Sequence, residues 1–94
     1  MYNKYTIDFE FDSDKSNRNK KKHGIDFTEA QALWEDPDFI EIPAETSDEP
    51  RFVIIGKNAG KYWSAIVTYR GPRTRIISVR RSRKKEIDIY EGES

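Results

Sequence analysis

The chain has 94 residues, no cysteine, and 17 basic against 17 acidic side chains. That length is one domain with a thin core, and the missing cysteine excludes disulfides and thiolate zinc sites. Charged residues make up 36% of the sequence, but 5 Tyr, 5 Phe and 2 Trp supply the bulk of a small core and argue against a disordered chain.

No stretch approaches the roughly 18 apolar residues of a membrane span. The opening residues contain no signal-peptide h-region, so a cytoplasmic location is expected. The zero net charge hides a segregation. Residues 1–24 carry six basic and four acidic side chains, and residues 25–50 carry nine acids with no Lys or Arg. Residues 51–85 carry eleven Lys and Arg with no acid. On one face, such a block makes a positive field suited to nucleic acid. Scattered around a solvated surface, it would not.

In chain order, residues 6–12 alternate Ile7, Phe9 and Phe11 with Asp8, Glu10 and Asp12, the period of a half-buried strand. Residues 13–23 contain no apolar residue, but Asp12 as N-cap and Gly24 as left-handed C-cap predict a helix. Its Lys15, Asn19, Lys22 and His23 fall where an apolar stripe is expected. Residues 26–35 read as an amphipathic helix opened by an Asp26/Glu29 capping box, with Phe27, Ala30 and Trp34 inward. Asp36-Pro37 stops it.

Residues 39–43, 51–55, 61–70 and 74–81 read as strands, the last three joined by short Gly-containing turns as antiparallel hairpins. Ser82 is placed as the cap of a last helix over 83–91. The order predicts an α+β domain with a mainly antiparallel sheet, two N-terminal helices on one face and a C-terminal helix.

Catalytic side chains are scarce. There is one histidine, and no phosphate-binding loop or dinucleotide fingerprint. The carboxylates of 26–49 have no recurring spacing, so neither a metal site nor a cofactor is expected. RNA cleavage remains open to such a chain, because the substrate's 2′-hydroxyl is the nucleophile. The protein then needs a base, an acid and cations around the phosphorus. Strand alternation groups Thr68 and Arg70 on one strand with Ser78 and Arg80 on the next, a candidate cationic patch. His23 is the one imidazole able to move a proton near neutral pH.

The motif Asp12-x-x-Lys15-x-x-x-Asn19-x-x-Lys22-His23-Gly24-Ile25-x-Phe27-x-Glu29-Ala30 resembles the N-terminal signature of BrnT-type toxins. Arg51 before Ile55-Gly56, Thr68-x-Arg70, and Arg75-Ile76-Ile77-Ser78-Val79-Arg80-Arg81 before Glu86 and Tyr90-Glu91 resemble the rest of that family's pattern. Phe11 and Val79 stand where the family often has Trp and Ala.

The resemblance implies a RelE-like ribonuclease fold, metal-independent RNA cleavage and arrest of translation. It implies a BrnA-like antitoxin in a 2:2 complex that meets DNA only through the antitoxin. On this basis His23, Lys22, Arg51, Thr68, Arg70 and Arg80 are the expected catalytic residues. Arg70 and Arg80 are expected to hold the scissile phosphate, with Arg51 assisting, and Lys15, Arg75, Arg81 and Arg83 to bind RNA. Two other readings use the same basic block: a non-catalytic nucleic-acid-binding regulator and an interaction module. No helix joins a core stripe to basic recognition residues, as a helix-turn-helix regulator requires.

Overall fold

The computed structural model describes residues 7–45 and 48–92. The elements run β1 (Asp8–Glu10), α1 (Ser13–His23), a 3₁₀ helix (Glu29–Glu35), β2 (Ile40–Ala44), β3 (Arg51–Asn58), β4 (Lys61–Arg70), β5 (Arg73–Arg81) and α2 (Lys84–Tyr90). One five-stranded sheet has the order β1-β5-β4-β3-β2. Its pairings are antiparallel except β1 with β5, so the α+β sheet is mixed. The expected strand 6–12 survives as Asp8–Glu10, with Thr6 outside the described residues.

Helix α1 forms without an apolar face because its ends are well satisfied. The Asp12 carboxylate accepts from the backbone N–H of Asp14 and Lys15 at 2.8 and 3.1 Å. Gly24 closes the helix at φ 81°, a conformation that costs other residues a Cβ clash. Two buried polar side chains then dock the helix. The Ser16 hydroxyl accepts from Phe27 N–H at 2.9 Å. The Asn19 amide donates to the carbonyls of Ile25 and Val79 at 2.8 and 2.9 Å and accepts from Val79 N–H at 3.2 Å. Asn19 thus bonds the edge of β5 as a neighbouring strand would.

The segment expected as an α-helix over 26–35 is a 3₁₀ helix over Glu29–Glu35. Buried Phe27, Ala30 and Leu33 recur every three residues, the repeat at which 3₁₀ side chains align. The Asp26/Glu29 box does form, with Asp26 N–H donating to Glu29 at 3.0 Å and Glu29 N–H donating to Asp26 at 2.7 Å. Leu33 sits so close to Gly56 of β3 that a Cβ there would meet it at 3.2–3.3 Å.

The core lies between these helical elements and one sheet face. Ile25, Phe27, Ala30, Leu33 and Trp34 pack with Ile54, Trp63, Ala65, Val67, Ile76 and Val79. Trp34 meets Phe9 edge-to-face at 4.9 Å.

In the β4–β5 ladder Ile66 pairs with Ser78 but Val67 with Ile76, which leaves Ile77 as a bulge. The bulge shifts the alternation of β5 by one. Strict alternation along β5 would put Thr74 and Ile76 on the face of Ser78 and Arg80, but both are buried on the core side. Arg75, opposite Thr68, takes that place, and Arg80 lies opposite Ser64.

On that second face α2 is held mainly by polar contacts, and none of its residues is buried. Ser82 is not its cap: its hydroxyl bonds Ser64 at 2.8 Å, and Arg83 is the N-cap residue. Glu86 instead accepts from Arg83 N–H at 2.8 Å. At the other end Tyr90 donates to Asp36 at 2.7 Å, and Tyr62 donates to Glu91.

Candidate functional site

Arg70, Arg73, Arg75, Arg80 and Lys84 of the basic block 51–85 have acidic partners in the fold. Arg80 makes two 2.7 Å bonds to the Glu86 carboxylate, a fork-to-fork pair. Glu86 also accepts from Ser64 at 3.0 Å. The guanidinium holds the Glu86 carboxyl down to about 2 against the opposing effect of burial, with help from Arg83 N–H and Ser64. Glu86 in turn raises Arg80 above the ordinary arginine value. Arg75 pairs with Glu10 at 2.8 Å, which lowers the Glu10 carboxyl. Arg73 lies 3.5 Å from Asp8, and Arg70 lies 3.5 Å from Glu49. Arg81 stands over the Trp63 ring at 5.5 Å.

The structure does not bring Arg70 and Arg80 together. Arg80 is opposite Ser64, and Arg70 lies six residues further along β4. At about 3.3 Å per residue that is roughly 20 Å, too far to share one phosphate. Thr68 is buried, and its hydroxyl donates to the Pro50 carbonyl at 2.8 Å, so it is not free to orient a phosphate oxygen. Arg51 begins β3 beside Thr68, at the Arg70 end of the sheet. Arg83 is exposed at the start of α2.

Other predicted residues do converge. Lys15, Lys22 and His23 line a groove of about 330 Å³ between α1 and β5, together with Arg18, Asn19, Ile77 and Ser78. The side chains of Lys15, Arg18 and Lys22 make no hydrogen bond or ion pair among the described residues, whereas Lys20 on the next face of α1 is paired with Glu29 at 2.8 Å. The bulge carries Ile77 and Ser78 into the groove wall. Arg80 follows Ser78 by two residues on the same strand face, where it is paired with Glu86 and is not among the residues that line the groove.

Sequence reasoning missed Arg18 and Ile77 as site residues, and it grouped Ser78 with the sheet arginines instead of the groove. For Arg18 a signal was present, because positions 15, 18 and 22 share one helical face. For the bulge none was, since no Gly marks it.

Among the described residues no group of three or more His, Asp or Glu could hold a metal ion, and no helix is long and apolar enough to cross a membrane. Lys15, Arg18 and Lys22, whose side chains are unpaired among the described residues, give the groove beside His23 a chemistry suited to polyanions. The sequence defines the family. Residues 11–86 match the family model described as the ribonuclease toxin BrnT of type II toxin-antitoxin systems, and the chain belongs to that family. No curated protein matches the chain.

Proposed function

We propose that this chain is a toxin that cleaves RNA in the groove between α1 and β5. The observation that supports it is the gathering of Lys15, Arg18, Lys22 and His23 around Ser78, while the sheet arginines Arg70, Arg73, Arg75 and Arg80 have acidic partners. The RNA 2′-hydroxyl attacks its own phosphorus, so the groove need not contain a nucleophile. His23 takes the 2′-hydroxyl proton and returns it to the 5′-oxygen as the P–O5′ bond breaks and the 2′,3′-cyclic phosphate closes, and Lys22 and Lys15 stabilise charge on the phosphorane, the kind of term that dominates such reactions. Arg80, held in orientation by Glu86, borders the attacked phosphate.

Arg51 and Arg70 serve the RNA strand away from the cleaved bond, and Arg75, Arg81 and Arg83 bind its flanks. Thr68 acts in packing. The reaction needs no metal, because the groove offers cationic side chains where a metal would act. The product of toxicity is arrested translation in the cytoplasm. A BrnA-like antitoxin covers the groove in a 2:2 complex and carries any DNA contact. The fold is of the RelE-like kind, supported by a five-stranded sheet with three helical elements.

The test uses purified protein and a single-stranded RNA, beside the same strand with 2′-deoxy sugars. Cleavage of the RNA alone, leaving a 2′,3′-cyclic phosphate and unaffected by EDTA, is expected. Folded protein that leaves RNA intact, or cleavage abolished by EDTA, would contradict the mechanism.

A further inference from the structure

We propose that Arg18 is the phosphate-gripping arginine of the groove and that the Ser78 hydroxyl donates beside it. The proposal rests on the groove being the RNA site.

The chain has eight arginines. Arg70, Arg73, Arg75 and Arg80 have carboxylate partners, and Arg81 covers Trp63. The guanidinium groups of Arg18, Arg51 and Arg83 have no hydrogen-bond or ion-pair partner among the described residues, and of these only Arg18 lines the groove. A guanidinium presents two parallel N–H groups that match two phosphate oxygens, which an ammonium does not. Lys15 and Lys22 are point charges beside it, three residues before and four after, on the same helical face.

That spacing sets like charges against one another, which weakens a helix on its own. Here α1 is held by its Asp12 cap and by the buried bonds of Ser16 and Asn19, so the repulsion is tolerated. A phosphodiester entering the groove relieves it.

Ser78 is the matching donor. Ser16 and Thr68 have backbone partners, and Ser64 and Ser82 bond each other. The Ser78 hydroxyl has no partner among the described residues, and the Ile77 bulge brings it to the groove wall. The groove volume, about 330 Å³, is at the small end of the roughly 300–1,000 Å³ range of ligand sites and suits one nucleotide.

The experiment compares the wild type with Arg18→Ala, Arg18→Lys, Ser78→Ala and the control Lys61→Ala. Each is titrated with a 2′-O-methyl RNA oligonucleotide, which cannot be cleaved, over a series of salt concentrations. Cleavage of the unmodified strand is timed in parallel, and folding is checked by circular dichroism. Losing one phosphate contact lowers the slope of log K against log salt by about 0.7 for a single strand. Arg18→Ala is expected to show that loss and a roughly 10²–10³-fold slower cleavage. Arg18→Lys should restore the slope but not the rate. Ser78→Ala should slow cleavage with the slope unchanged, and Lys61→Ala should change neither.

Folded Arg18→Ala with the wild-type slope and rate overturns the assignment while leaving the groove as the RNA site. A wild type that binds without cleaving refutes the ribonuclease reading, and the slope still decides Arg18. A wild type that does neither overturns both.

Discussion

Two sets of cations in this protein resemble each other in the sequence and differ in the structure. The arginines of β4 and β5 are the denser set, but acidic partners from β1, α2 and the segment before β3 take up Arg70, Arg73, Arg75 and Arg80. Lys15, Arg18 and Lys22 of α1 are fewer, and none has such a partner among the described residues. Local charge density does not set the field a ligand meets. What counts is the charge left after the fold has made its own pairs, because a paired guanidinium offers a substrate only the surplus over its existing bonds.

The largest expected effect concerns the side chain that holds the two regions in register. Asn19→Leu strands the Val79 N–H and C=O and the Ile25 C=O, which Asn19 now satisfies. At roughly 1–3 kcal/mol for each of these three groups, thermal or denaturant unfolding should show a loss of at least about 3 kcal/mol. A stability within 1 kcal/mol of wild type (roughly one such group) would mean that α1 is not anchored there.

Next comes the sheet set. Glu86→Ala leaves the half-buried Arg80 without its fork partner and should cost about 1.5–3 kcal/mol. Urea unfolding decides it, and an unchanged midpoint would show that the pair is not structural.

The same carboxylate predicts a pH dependence. Its folded value is depressed from 4.5 to about 2, so its stabilisation is fully present above 4.5 and is lost as pH falls toward 2. Unfolding measured between pH 5 and pH 2 should therefore decline less steeply in Glu86→Gln than in wild type. Equal slopes would place the acid sensitivity elsewhere, for instance on Glu29, which Lys20 lowers in the same direction.

The smallest stability effect belongs to the free set. Lys15→Gln and Lys22→Gln remove exposed charges that repel each other, so stability should move by less than about 0.5 kcal/mol. RNA affinity should nonetheless fall, and more so at low salt. A large loss of stability would mean that the two lysines are structural.

The sequence made some of this legible and hid the rest for physical reasons. Strand Lys61–Arg70 and helix Ser13–His23 stand where alternation and the Asp12 and Gly24 caps put them. Those signals are local. The 3₁₀ geometry of Glu29–Glu35 is not legible in the sequence, because Trp34 beside Leu33 also fits an α-helical stripe. The bulge at Ile77 depends on how β5 registers against β4, and no turn residue announces it. It turns Thr74 and Ile76 to the core side against strict alternation, and it brings Ser78, which alternation groups with Thr68 and Arg70, to the groove wall. Charge pairing was equally hidden, since Arg80 finds Glu86 only once Ser82 has turned the chain back into α2. The convergence of Lys15, Lys22 and His23 was legible because all three share one helix.

The most direct test is to map a bound strand onto the backbone. Amide NMR spectra of the folded protein are recorded while a 2′-O-methyl RNA oligonucleotide is added. If the α1–β5 groove is the RNA site, the largest shifts fall at residues 15–23 and at Ile77 and Ser78, with smaller ones at Arg51 and Arg70 and little change at Thr68. Shifts concentrated at Arg51, Thr68 and Arg70, with α1 silent, would contradict it.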